Sequence, residues 1–285
     1  ITIDKSAIRN NYEIFRQVIG PKVKLMAVVK SNAYGHGLVN FAREMSTLGV
    51  DIIAVDSIVE AERLRKEGIV APIFVLGYTR PINFPLAVEL NIELAISSLE
   101  SIKQLIPGLK IHLKVDTGMH RQGFLASEFQ TAIEELKKLG EKVEVVGIFS
   151  HFASASDEEF TDKSKNQIGE FKKFVELLSQ TGFDVEKIIK HLCATGGTFA
   201  YTDAHFNMVR IGLGMYGLWP SRELEERFAK QYPLKRVMTW QTIISEVKTL
   251  TEDGHIGYDF TEEVKVGIKM AVCPIGYWHG YPRHL

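Results

Sequence analysis

The sequence predicts an α/β protein: a TIM-type (β/α)8 barrel followed by the start of a mainly antiparallel β-domain. Three observations carry that prediction. Short β-type runs alternate with helical stretches eight times, chemistry-bearing residues fall at the carboxyl ends of those runs, and the alternation stops after Pro233. The runs cover 24–30, 51–55, 72–77, 92–97, 110–116, 143–150, 188–195 and 207–213. Between them, stretches such as 128–139 and 160–180 place apolar residues three and four apart, as in a helix with one buried face. Strands alternating with helices imply parallel βαβ units, and eight of them suggest a closed barrel. A doubly wound open sheet is the alternative. It would scatter Lys30, Asp116, His151 and Thr195, each at the end of a different run, whereas a barrel gathers them at its mouth.

Beyond the barrel the pattern changes. Residues 240–249 and 264–274 read as strands joined by the turn-rich 251–255, with no crossover helix, which is the signature of antiparallel β structure. The expected domains are therefore 1–235, the barrel, and 236–285, the N-terminal part of a C-terminal β-domain. Those last residues are too few for a β-domain of ordinary size. The chain begins inside a strand-like Ile1-Thr2-Ile3 and stops at Tyr281-Pro282-Arg283-His284-Leu285. The expectation is of a chain whose C-terminal part is missing.

Composition narrows the function. An apolar fraction of 45% and a charged fraction of 24% suit a globular protein with an ample core. With 34 basic and 35 acidic residues, no net field exists to draw nucleic acid or an anionic membrane. Cys193 and Cys273 lie singly in apolar runs, which suggests reduced, buried thiols and a cytoplasmic protein. No stretch reads as a membrane span or signal peptide, and no metal site is expected.

Lys30 is the residue that says most. It ends the first apolar run in Ala27-Val28-Val29-Lys30-Ser31-Asn32-Ala33-Tyr34-Gly35-His36-Gly37. A lysine there is desolvated from behind and open to a ligand in front, which lowers its pKa and suits it to form a Schiff base. The segment closely resembles the cofactor-lysine motif of alanine racemases, fold-type III enzymes that use pyridoxal 5′-phosphate (PLP). Only Ser31 departs, standing where the family usually has a small alanine.

Several separate motifs extend the resemblance over almost the whole chain. Leu113-Lys114-Val115-Asp116-Thr117-Gly118-Met119-His120-Arg121-Gln122-Gly123 resembles the family's strand-five motif. The resemblance implies that Arg121 binds the cofactor's phenolic oxygen near the substrate carboxylate. It also implies that Lys114 is carboxylated by CO2 and that its carbamate orients the arginine. Phe149-Ser150-His151-Phe152-Ala153 resembles the strand-six motif whose histidine flanks the pyridine ring. In Val209-Arg210-Ile211-Gly212-Leu213, Arg210 matches the arginine at the pyridine nitrogen, and Ile211 replaces the family's frequent proline. A guanidinium can only donate, so it holds that nitrogen unprotonated and limits how far a carbanion spreads into the ring, favouring racemisation over transamination.

Residues Gly212-Leu213-Gly214-Met215-Tyr216-Gly217 spell a possible dinucleotide fingerprint. However, the unit comes last in the array, and no acidic residue on a second strand follows about 20 residues on. A phosphate site from the loops after strands seven and eight fits better. Thr195, the amides near Gly212 and Leu213, and the Tyr34 hydroxyl would supply its donors.

Gly257-Tyr258-Asp259-Phe260 resembles the segment whose tyrosine takes the Cα proton on the face opposite the lysine. Gly276-Tyr277-Trp278-His279-Gly280-Tyr281 resembles a later Gly-Tyr-x-Asp-Gly motif, with His279 for the aspartate, and places Tyr277 near the substrate. The family's tyrosine works in the partner subunit's site, so a head-to-tail homodimer is implied. The activity implied is L- to D-alanine interconversion by two bases, Lys30 and Tyr258, supplying D-alanine for peptidoglycan. Alternatives are a broad-specificity amino-acid racemase, a non-catalytic PLP-binding homeostasis protein, or a fold-type III decarboxylase. Residues 236–285 argue against the homeostasis protein. Arg210 argues against the decarboxylase, which places an acid at the pyridine nitrogen.

Overall fold

The structure, a computed structural model, describes residues 1–155 and 158–282; the last three residues of the expected β-domain, 283–285, lie outside them. Eight strands form a closed barrel: β1 (Lys24–Val28), β2 (Ile52–Val55), β3 (Ile73–Val75), β4 (Ile92–Ile96), β5 (Lys110–Lys114), β6 (Glu144–Phe149), β7 (Ile189–His191) and β8 (Met208–Ile211). Every neighbouring pair is parallel, and β1 closes the ring against β8. The open sheet is thereby excluded. Each strand falls within its expected run, but most stop short of the run's carboxyl end. The amides of Val29, Leu76, Val115 and Ser150 each add one more hydrogen bond to the ladder, and the residues beyond them build the barrel mouth.

Alternation along the strands builds two cores. Leu25, Ala27 and Val29 face the surrounding helices, while Met26 and Val28 join Ile52, Ala54, Phe74, Ala95, Phe149 and Met208 inside the barrel. Burial on both faces is why these strands read as unbroken apolar runs. The helices close the outer layer. Helix Lys5–Ile19 starts where the Asp4 carboxylate accepts from the Ser6 amide at 2.7 Å and turns Ala7, Ile8, Ile14 and Phe15 inward. Ser57 and Ser98 cap two later helices in the same way.

The chain divides into two compact units, Ile3–Val237 and Ile1–Thr2 with Met238–Leu285. In the smaller unit Glu246–Thr249 pairs antiparallel with Lys269–Val272, and Gly254–Ile256 with Glu262–Val264. The expected strands around 240–249 and 264–274 thus pair, but the link between them is itself a hairpin rather than a plain turn. Gly257, Asp259 and Phe260, all at positive φ, reverse its direction. One expectation fails: Cys193 is buried but Cys273 is exposed. It follows the last paired residue of a two-stranded sheet, where nothing covers it among the described residues. No helix among the described residues is long and apolar enough to cross a membrane.

Candidate active site

The barrel mouth opens into a cavity of about 660 Å³ lined by residues from 28 to 220. Lys30, Tyr34, Lys114, Arg121, His151, Thr195, Arg210, Gly212 and Leu213 all reach it. Tyr258 and Tyr277 belong to the smaller unit, where they are 77% and 63% exposed.

Lys30 stands at a backbone position that few sequences adopt. The Val29 amide still donates to the Ala54 carbonyl at 2.8 Å, extending β1 by one rung. Ser31, Asn32, Ala33 and Tyr34 then take φ of 55, 55, 53 and 52°, a full turn of left-handed helix. Each such L-residue costs roughly 1–2 kcal/mol, so the turn persists only because its surroundings over-determine it. Ala33 is fully buried, its amide donating to Val29 O at 2.8 Å, and Asn32 Oδ1 accepts from the Leu38 amide at 2.9 Å. The helix expected after the lysine begins only there, at Leu38–Thr47. The turn lets Lys30 leave the strand into the cavity, where its Nζ lies 3.1 Å from Asp56 Oδ1.

Around Lys30 the cavity is strongly cationic. Lys114 is buried on β5, its Nζ donating to Gln122 Oε1 at 3.0 Å. Desolvation, reinforced by Arg121 and Arg210, brings its pKa down to about 8. His151 is pushed down to about 3 by burial and then by the charges of Arg210, Arg121, Lys114 and Lys30, so it is neutral at pH 7. Asp116 offsets the effect on Lys114 only in part, and its Oδ1 accepts from the amides of Gly118, Met119 and His120 and shapes the loop that carries Arg121. Such a pocket is made for anionic groups.

Arg210 is buried inside β8 and its contacts are directional. Nη1 donates to His191 Nδ1 at 2.8 Å and His191 O at 3.0 Å; Nη2 donates to Ser150 O, Leu192 O and His151 Nδ1 at 2.7, 2.8 and 3.2 Å. The guanidinium has five N–H donors. Its Nε–H is the one with no partner among the described residues, at a group that lines the cavity. The guanidinium therefore offers the pocket one donor and no acceptor.

The far end of the cavity is built by close approach. A Cβ on Gly212 would come 3.0 Å from the Tyr34 hydroxyl, and one on Gly214 would overlap the Phe15 ring. The Gly214 amide donates to Thr195 Oγ1 at 3.3 Å. Gly217, at φ 75°, turns beneath the Lys235 carbonyl. The G-x-G-x-x-G spacing thus answers three packing demands rather than a dinucleotide fold. Tyr34, Thr195, Gly212 and Leu213 converge as the barrel reading anticipates.

Three residues escape sequence reasoning: Asp56 and Gln122, which line the cavity, and His191, buried behind it against Arg210. A signal existed for the first, since Asp56 directly follows a barrel strand. His191 was a polar residue in an apolar run, and Gln122 carried no signal.

These features define a class: a barrel protein with a lysine at the mouth of a cation-lined pocket and a donor-only guanidinium beneath it. The family then follows from comparison with known proteins. The alanine racemase N-terminal domain model matches residues 3–220, and the alanine racemase C-terminal domain model matches 237–285. The chain is 38% identical to the alanine racemase of Methanococcus maripaludis over 99% of this chain and 76% of that one. It is 37% identical to alanine racemase 2 of Oceanobacillus iheyensis over 99% and 72%. The solved alanine racemase of Bacillus anthracis with bound L-Ala-P superposes with a TM-score of 0.89 at 31% identity, covering 98% of this chain and 72% of that one. The chain belongs to the alanine racemase family, whose members are isomerases.

Proposed function

We propose that this protein interconverts L- and D-alanine with PLP held on Lys30. The observation that carries the reading is the Lys30 amine, delivered by a left-handed turn into a pocket whose other groups suit each part of that cofactor. Tyr34, Thr195 and the amides of Gly212 and Leu213 fit a phosphate. The neutral His151 imidazole fits a ring face, and the spare Nε–H of Arg210 fits a pyridine nitrogen. Arg121 fits a phenolic oxygen and an incoming carboxylate, with Lys114, when carboxylated, steering it. Bound there, PLP supplies the electron-withdrawing ring that makes an amino acid's Cα–H acidic.

The protein's residues do the rest. Lys30 Nζ exchanges a proton with Cα on one face, while Tyr258 Oη exchanges one on the other. Two bases of opposite access are needed because a single base would return the same enantiomer unless it swung across. Tyr258 and Tyr277 reach the pocket from the partner of a head-to-tail homodimer. Residues 1–235 then act as the cofactor-binding domain and 236–285 as part of the domain that lends the tyrosine. The product would serve peptidoglycan synthesis in the cytoplasm. Borohydride reduction of PLP-loaded protein should attach the cofactor to the peptide carrying Lys30. Lys30→Ala should abolish that adduct and lower D/L-alanine interconversion by about 10³-fold or more. An adduct on another lysine would sink the reading.

A further inference from the structure

A line of hydrogen bonds runs through the barrel interior from its floor to Arg210. Glu93, near the amino end of β4, accepts from His112 Nε2 on β5 at 2.8 Å. His112 Nδ1 faces His191 Nε2 on β7 at 2.9 Å, and His191 Nδ1 accepts from Arg210 Nη1 at 2.8 Å. We propose that Glu93 and His112 are positioning residues for Arg210, acting through His191. The proposal rests on the reading that Arg210 meets the cofactor ring, but the line itself is defined by the protein's own atoms.

The ends of the line dictate its interior. An ionised carboxylate only accepts, and a guanidinium only donates. With a donor-only group above and an acceptor-only group below, both imidazoles are neutral and both carry their proton on Nε2. Each then donates downward and accepts from above. Burial and the Arg210 charge hold His191 well below its ordinary pKa, in keeping with that neutral form. A carboxylate behind a histidine fixes its tautomer and raises the basicity of its other nitrogen, as behind metal-ligating histidines. Here that effect passes through two rings to the atom that Arg210 Nη1 grips, which sets where the free Nε–H points.

The barrel is shaped around this pair. Between Ile111 and His112 the register with β6 shifts by one residue, bringing Gly147 opposite His112. A Cβ on Gly147 would overlap the His112 ring, so only glycine leaves room for it. Phe149 stacks on His191 at 4.8 Å with the planes 4° apart, and Phe74 covers His112 at 4.3 Å. Both imidazoles are fully buried, while the Glu93 side chain keeps 17% of its exposure at the floor.

The test uses full-length protein labelled with ¹⁵N on the histidine and arginine side chains, observed first without cofactor. In the parent, His112 and His191 should each show a protonated Nε2 and a bare Nδ1; the opposite tautomer at either residue overturns the proposal without any variant. Glu93→Leu leaves the His112 Nε2–H unpartnered. It should mix the tautomers, speed exchange of the Arg210 Nε–H and, in PLP-loaded protein, lower the racemisation kcat by about tenfold, the smaller end of such outer-shell effects. The alanine KM should hold. Glu93→Gln keeps an acceptor and should restore the tautomers and much of the kcat. Parent-like tautomers and exchange in Glu93→Leu overturn the proposal. If both change and turnover does not, the line stands and the placement of Arg210 at the cofactor fails instead.

Discussion

The two units spend their residues differently. In the barrel, all four residues of β2 and all four of β8 are buried, and Met26, Phe74 and Phe149 fill the interior. In the smaller unit no described residue after Val237 is buried, and all four of Glu246–Thr249 are exposed. Trp278 is 88% and Tyr258 77% exposed. A closed sheet wrapped in helices buries both faces of each strand. Two-stranded ribbons bury neither and do not stand alone. The barrel can therefore afford a line of polar groups inside it, whereas the smaller unit presents its aromatic residues outward. One unit holds its polar groups in a buried frame, and the other leaves its aromatic side chains exposed.

The sharpest way to break that contrast is to move the chemistry between units. Tyr258→Phe removes one of the two proposed bases and keeps the ring's bulk, so racemisation in both directions should fall by about 10²-fold or more. PLP binding should persist, because Lys30 and its pocket are untouched. Mixing Lys30→Ala with Tyr258→Phe protein then asks which chain the tyrosine serves. If it serves the partner, each mixed dimer regains one intact site of its two, and an equimolar, randomly exchanged mixture returns towards a quarter of the parent's activity. A mixture as inactive as its components, after proven subunit exchange, would show that Tyr258 serves its own chain or none.

Stability should divide along the same line. Phe129, fully buried against Phe124 and Phe174 in the outer layer of the barrel, should cost about 3–5 kcal/mol when replaced by alanine. Val247, 63% exposed in its ribbon, should cost about 0.5 kcal/mol or less. Urea unfolding of both variants at one protein concentration measures the difference. A loss at Val247 above about 1 kcal/mol would mean that the assembled protein covers this ribbon, and would make the exposed face an interface.

The barrel was legible because its strands are doubly buried and so read as apolar runs, and because a barrel gathers their carboxyl ends. Nine of the proposed site residues could be placed on that rule and the motifs together. Local backbone chemistry was not legible. Nothing in Ser31-Asn32-Ala33-Tyr34 announces four consecutive left-handed residues, since only glycine adopts that region freely. The inner polar line was equally hidden. Glu93, His112 and His191 are 19 and 79 residues apart along the chain, and only the barrel's closure makes them neighbours. In the smaller unit the apolar run around Cys273 does not signify burial, because among the described residues its two-stranded sheet has no second layer.

The smallest effect to look for lies at Lys114, where the barrel's cation excess has a chemical consequence. Only a neutral amine adds CO2, and the carbamate that forms is anionic, which the charges of Arg121 and Arg210 favour. With its pKa brought down to about 8 by burial and those charges, roughly a tenth of Lys114 is neutral at pH 7 and nine tenths at pH 9. At fixed, sub-saturating bicarbonate, the fall in dissolved CO2 with rising pH is offset by easier loss of the carbamate's proton, so occupancy follows the neutral fraction. ¹³C NMR with labelled bicarbonate should show a carbamate signal that rises about tenfold between pH 7 and 9 and then levels. An exposed lysine, titrating near 10.4, would still be climbing at that point. Gln122→Leu removes the amide that meets Lys114 Nζ at 3.0 Å and can turn its own N–H towards a carbamate oxygen. The signal should weaken by a few-fold while the midpoint of its rise stays near pH 8, because burial sets that midpoint first. A signal still rising at pH 10 in the parent protein would show that Lys114 is not desolvated, and its carboxylation at neutral pH would lose its physical basis.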